Sequence, residues 1–157
     1  MHEPFMRQAI QIAQRNPAAP FGALLVDVET GQIVAEGLNR GSENPTWHGE
    51  IDAINRLAAV DPDADWKRLR LYTTAEPCCM CQGAILWSGI REVVYGTSIS
   101  TLQRLGWRQI DISAHEVARR TPFVKCKLTG GVLERECDAL FEEALRRQGD
   151  VSNELSG

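Results

Sequence analysis

A strand–turn–strand pattern near the start of the chain, followed by strands that alternate with helices, constrains the fold more than any other feature. Gly22 to Val28 (GALLVDV) reads as a strand, Glu29-Thr30-Gly31 as a turn, and Gln32 to Glu36 as the hairpin partner. A hairpin joins antiparallel strands, so the sheet built on it cannot be all parallel. Ahead of it, Glu3 to Arg15 carries Phe5, Ala9, Ile12 and Ala13 at helical spacing, until Asn16-Pro17 stops the helix. Behind it lies a polar loop, Gly37 to Thr46, and then a helix from His48 with Ile51, Ile54, Leu57 and Ala58 as its buried stripe. The rest of the chain predicts a strand at Leu69–Thr73, a helix from Pro77 to Ser88 and a strand at Glu92–Gly96. Short helices follow at Ser100–Leu105 and Ala114–Arg119, with a last strand at Lys125–Leu128 joined by Val132, and a helix from Arg135 to Arg147. The class is α/β, a three-layer α/β/α sandwich on a mixed central sheet.

The 157 residues suffice for one domain, expected over residues 1–148, with 149–157 as a flexible C-terminal tail. A formal charge of −4 supplies no bulk field for polyphosphate, which argues against a nucleic-acid partner. The longest charge-free stretch, Pro77 to Ile90, has 14 residues, too few to span a bilayer. Glu3 and Arg7 interrupt the N-terminus before a signal-type apolar run develops. A cytoplasmic protein is expected. The five cysteines, at 78, 79, 81, 126 and 137, are odd in number and clustered, a poor disulfide framework and a better metal or redox site.

Two segments carry the chemistry: His48-Gly49-Glu50, and Pro77-Cys78-Cys79-Met80-Cys81. Together they spell H-x-E followed by P-C-x-x-C, the signature of zinc deaminases. Cys78 and Cys81 are three apart, hence neighbours on one helix face. Pro77 suits the first helical turn, and the positive end of the helix dipole favours the thiolates that zinc requires. A redox pair or half of a zinc ribbon would also use C-x-x-C. Cys79 between the pair weighs against the first, and the lack of a second C-x-x-C against the other. His48 supplies a third ligand and leaves a fourth position for water, a catalytic rather than a structural set. Glu50 is then the group that moves protons to and from that water. A histidine cap and a first-turn acid are the bland alternatives for these two residues.

With Thr74-Ala75-Glu76-Pro77-Cys78-Cys79-Met80-Cys81-Gln82-Gly83-Ala84-Ile85 behind the Gly22-Ala23 strand, the chain resembles the cytidine deaminase-like superfamily. Within it, the likeness is to the bacterial guanine deaminase and nucleoside deaminase branch, with tRNA adenosine deaminases as nearer cousins than cytidine deaminases. It extends from Phe5 to Ser98 and more weakly to Phe141. The resemblance implies hydrolytic removal of an exocyclic amine, as ammonia, from a free nucleobase, nucleoside or related aminated heterocycle. It further implies one zinc on His48, Cys78 and Cys81, catalysis by Glu50, and a homodimer. Phe21 matches an aromatic that packs on the substrate ring, and Asn39 an amide that reads the base edge. Trp47 and Trp87 adjoin the two motifs and are expected to wall the pocket, with Gly49 at the substrate between the two functional side chains. Trp87 also shares an i, i+4, i+7 stripe with Met80 and Ala84, which would suit a dimer face.

The chain departs from the family pattern twice. Gly49 stands where relatives have Ala. In Leu105-Gly106-Trp107-Arg108-Gln109, Gln109 occupies the place of a proton-carrying carboxylate in a Gly-Phe-Asp-Glu type segment, which weighs against guanine as a good substrate. Asp111, His115 and Glu116 are the candidate substitutes. Cys137 with Leu140, Phe141 and Leu145 reads as a buried helix stripe, Cys126 as strand core, and Arg119-Arg120 and Arg146-Arg147 as solvated charges. The alternative functions are a tRNA-specific adenosine deaminase and a zinc-stabilised binding module without catalysis.

Overall fold

Strand β1 (Gly22–Asp27) is the pivot of the sheet, because it pairs antiparallel on both sides. One partner is β2 (Ile33–Leu38), reached through a turn in which Asp27 Oδ1 accepts the N–H groups of Glu29 and Thr30 at 2.8 and 3.2 Å. Gly31 closes that turn at φ +71°, in the left-handed region. The other partner is β3 (Leu69–Ala75), which pairs in parallel with β4 (Glu92–Thr97), and β4 in turn with β5 (Lys127–Thr129). The order β2-β1-β3-β4-β5 is the mixed sheet that the hairpin requires. The computed structural model describes the backbone of residues 1–156 and the side chains of residues 1–150.

Successive strand residues point to opposite faces, and helices cover both. On one face Leu25, Leu71 and Val93 pack with Ala53 and Leu57 of α2 (Gly49–Val60) and Ile85 of α3 (Cys79–Ser88). On the other, Leu24, Tyr72 and Val94 meet Met6, Ala9 and Ile12 of α1 (Glu3–Ala13) and Cys137 of α6 (Glu134–Ser156). Burial on both faces is why these strands read as nearly continuous apolar runs. Two short helices, α4 (Ile99–Leu105) and α5 (Ala114–Arg119), follow β4, so the carboxyl ends of β3 and β4 open beneath helix starts. Among the described residues, no helix is long and apolar enough to cross a membrane.

The differences from the expected elements are local. Helix α3 begins at Cys79, with Cys78 as an extended N-cap at ψ 166°, so Pro77 lies outside the first turn. Strand β5 starts at Lys127, and Cys126 sits half-buried before it rather than in the strand core. Helix α6 does not stop at Arg147 but continues to Ser156. Gly149 within it costs about 1 kcal/mol of helix propensity, too little to end a helix without a proline. The expected tail, residues 149–157, is therefore helical in its backbone as far as Ser156, and whether it is flexible lies outside the described residues. A 3-10 turn at Trp66–Arg68, which no periodicity announced, leads into β3.

Candidate active site

The N-termini of α2 and α3 converge at the end of β3. Gly37 of β2 allows the first of these approaches, since a Cβ there would lie 2.1 Å from the carbonyl oxygen of Gly49. His48 is the N-cap of α2, with ψ 167°, and Glu50 is the second helical residue. Residues two apart share no face of a regular helix, but an extended cap turns the His48 ring back toward Glu50. Cys78 does the same at the start of α3, and Cys81 follows one turn later.

His48 Nδ1 lies 3.6 Å from the Sγ atoms of both Cys78 and Cys81. Ligand bonds of about 2.3 Å to sulfur and about 2.0 Å to nitrogen, set tetrahedrally, place N and S about 3.6 Å apart. All three donor atoms fall within 4.8 Å of one another, so the set fits zinc and leaves one position open. The Cys78 thiol is lowered to about 4, chiefly by the hydrogen bond with Cys81 and then by that with His48. That bond and burial push Cys81 up, while the bond with Cys78 raises His48. Glu50 is 4% exposed, and burial, with the Cys78 charge second, raises its carboxyl. Thr73 Oγ1 donates to Glu50 Oε1 at 3.0 Å, fixing the carboxylate beside the ligand set.

These groups open into a cavity of about 330 Å³. Phe21, Asn39, His48, Glu50 and Cys78 line it, with Cys81 fully buried behind. Asn39 Oδ1 accepts the Gly41 N–H at 3.0 Å, which leaves its NH2 without a partner among the described residues.

The expected tryptophan walls are elsewhere. Trp47 turns its indole N–H to Asp52 Oδ1, at 3.0 Å, with the Arg40 guanidinium 5.7 Å above the ring. Trp87 lies nine residues beyond Cys78, about 13 Å along the helix at 1.5 Å per residue. It is 79% exposed and stacks on Phe123 with ring centroids 4.7 Å apart. The wall is instead Trp107, edge-on to Phe21 at 5.3 Å, with Phe141 behind both rings. Gly49 does not line the cavity. A Cβ at Gly49 would sit 2.7 Å from the Phe21 carbonyl oxygen, so the alanine of the family pattern has no room here.

Gln109 does face the cavity, with Arg108, and Gln148 of α6 joins them. None of the three candidate substitutes for the missing carboxylate lines it. Asp111 accepts from Gln103, His115 meets the Tyr95 hydroxyl, and Glu116 pairs with Arg119 and Arg120. Glu76 also lines the cavity, with both oxygens engaged by the first N–H groups of α4 (Ile99, 2.8 Å) and α5 (Ala114, 2.9 Å). It ties the segment bearing Trp107 to the metal-site end of β3. An acid caught between an apolar strand and Pro77 was the available signal for it.

The model of the cytidine and deoxycytidylate deaminase zinc-binding region matches residues 1–97, which hold both motifs. The chain belongs to this family. It is a zinc-dependent deaminase, a hydrolase of C–N bonds, with His48, Cys78 and Cys81 as the cluster able to hold the metal. The deaminase is 35% identical over 140 residues to the guanine deaminase of Bacillus subtilis, covering 82% of this chain and 87% of that one. It is 33% identical over 153 residues to a tRNA-specific adenosine deaminase of Buchnera aphidicola, covering 94% and 90%. A match of 35% identity to a probable cytosine deaminase of Schizosaccharomyces pombe covers 64% of this chain and spans only 63% of the yeast protein. The structure of the guanine deaminase from Nitrosomonas europaea superposes with a TM-score of 0.77 at 25% identity, over 92% of this chain and 84% of that one.

Proposed function

We propose that this deaminase acts on a small free aminated heterocycle, a nucleobase or nucleoside, and not on tRNA. The observation that carries the reading is the cavity itself. A buried carboxylate and a ligand set that fits zinc border about 330 Å³ with an aromatic wall and the Asn39 amide, space for one flat ring. Arg108 is its only cation among the described residues, whereas an RNA substrate needs several phosphates neutralised around the flipped base.

When bound, zinc supplies a Lewis acid that makes water nucleophilic at neutral pH. Glu50 takes a proton from the attacking water and delivers it to the ring nitrogen beside the amine-bearing carbon, as a C–O bond forms. It then carries a second proton to the amine, the C–N bond breaks, and ammonia leaves. Phe21 and Trp107 hold the ring, and the Asn39 NH2 donates to an acceptor on its edge. Gln109 and Gln148 offer amides that hydrogen-bond but exchange no proton. Guanine is accordingly a slow substrate, and a cytosine-like, triazine-like or nucleoside amine a better one.

The α3 stripe of Met80, Ala84 and Trp87, extended by Phe123, is the face on which we place a homodimer contact. We place the enzyme in the cytoplasm, where reducing conditions keep both ligand thiols free. Ammonia release with free bases and nucleosides, set against an adenosine-bearing anticodon stem-loop, tests the substrate reading. A higher kcat/KM for a free heterocycle supports it, and turnover of the RNA alone overturns it in favour of tRNA editing.

A further inference from the structure

We propose that Asp52 is the positioning residue of this site, holding both ends of the 38–48 segment and through them Asn39 and His48. Asp52 is 1% exposed and lies on α2 two residues beyond Glu50. Its Oδ2 accepts the backbone N–H of Leu38 at 2.9 Å, and its Oδ1 the indole N–H of Trp47 at 3.0 Å. Leu38 immediately precedes Asn39, and Trp47 immediately precedes His48. One carboxylate therefore grips the neighbour of the base-reading amide and the neighbour of a metal ligand.

Two arginines compensate its buried charge. Arg56 Nε donates to Oδ2 at 3.0 Å, and Arg40 Nε lies 3.4 Å from Oδ1, an ion pair without hydrogen-bond alignment. Arg40 belongs to the same segment, and its N–H meets the Trp47 carbonyl at 2.8 Å, which draws the two ends together. The Asp52 N–H in turn bonds the His48 carbonyl at 2.9 Å. An acid placed in a first helical turn only for the dipole would stay solvated, and this one is enclosed. Without it, the Leu38 N–H and the Trp47 indole become donors with no partner in the fold, an expensive state that the segment relieves by moving.

The inference rests on the substrate reading only for its kinetic arm. The zinc-loaded full-length chain is compared with Asp52→Asn, and with Trp47→Phe, which removes a single donor and serves if the first variant fails to fold. Amide exchange is the arm that needs no substrate. Exchange of residues 38–48 is expected to rise about tenfold or more in either variant, with one zinc retained and the Ala53 and Leu57 amides still protected. Equal acceleration across α2, or no change in 38–48, would overturn the proposal. In the kinetic arm, KM is expected to rise about tenfold as Asn39 loosens, with kcat nearly held because the retained zinc keeps His48 in place. Asp52→Asn in an Asn39→Ala background should then add little further, since the effect travels through Asn39. A lowered melting temperature with unchanged KM, or full additivity with Asn39→Ala, would show a structural role alone. If no heterocycle is turned over by the parent enzyme, the substrate reading fails and the exchange arm still decides Asp52.

Discussion

Glu50 and Gln109 face one cavity, and of the two side chains only the carboxyl can exchange a proton. Glu50 is buried against Thr73, where its carboxylate cannot swing into solvent. Glu50→Gln keeps the shape and the hydrogen bond but cannot carry a proton. It is expected to retain one zinc per chain while kcat falls by about 10² to 10⁴, read by metal analysis beside ammonia release. Gln109 stands among the cavity residues with no carboxylate from Asp111 or Glu116 to replace it. Gln109→Glu should therefore raise kcat/KM for guanine, by about tenfold or more, without a matching gain for a nucleoside. No gain for guanine would show that Gln109 is not what sets that preference.

Among the elements, α6 carries more of the site than its distance in sequence suggests. Phe141 is fully buried against Phe21 and Trp107, and its carbonyl accepts the Trp107 indole N–H at 3.2 Å. Phe141→Ala should cost about 3–5 kcal/mol of stability, measured by denaturant unfolding, and weaken substrate binding as the aromatic wall loosens. The hairpin, the strand–helix alternation and the two halves of the metal site are legible in the sequence because each rests on local spacing, while the joining of His48 to cysteines 30 or more residues away rests on the signature. His48 reads as a helix start for the same reason, since only an N-cap brings i and i+2 to one point. Trp47 and Trp87 do not wall the cavity, because nearness in sequence says nothing of side-chain direction, which Asp52 sets for one and helix rise for the other. Trp107 went unread as a wall because its partners, Phe21 and Phe141, lie 86 residues before and 34 after it. Packing that remote leaves no periodic trace.

At the scale of the whole molecule, two buried acids of high pKa link stability to alkali. Burial pushes the Cys137 thiol up to about 12, and burial with the Glu76 charge lifts the Tyr95 hydroxyl to about 12. Each is protonated in the folded chain at a pH where the unfolded chain has begun to lose the proton. The stabilisation is whole below about pH 9 and is lost as pH rises toward about 12. Denaturation midpoints should fall across that window, and Cys137→Ala should flatten its lower part. Assembly is tested on the other side of the sheet. Light scattering at micromolar concentration should give a dimer, and Trp87→Arg a monomer that still holds zinc; a monodisperse parent monomer would refute the α3 contact.

Of the twelve cavity residues, six lie between Phe21 and Cys78 and six between Gly106 and Gln148. The family match ends at residue 97, between the two groups. The first group holds Glu50 with His48 and Cys78 of the metal cluster, and the second holds Trp107, Arg108, Gln109 and Gln148. The wall of the cavity and its metal-holding end are thus carried largely by separate stretches of the chain. Exchanging the chain after β4 would present the same metal cluster with a different wall.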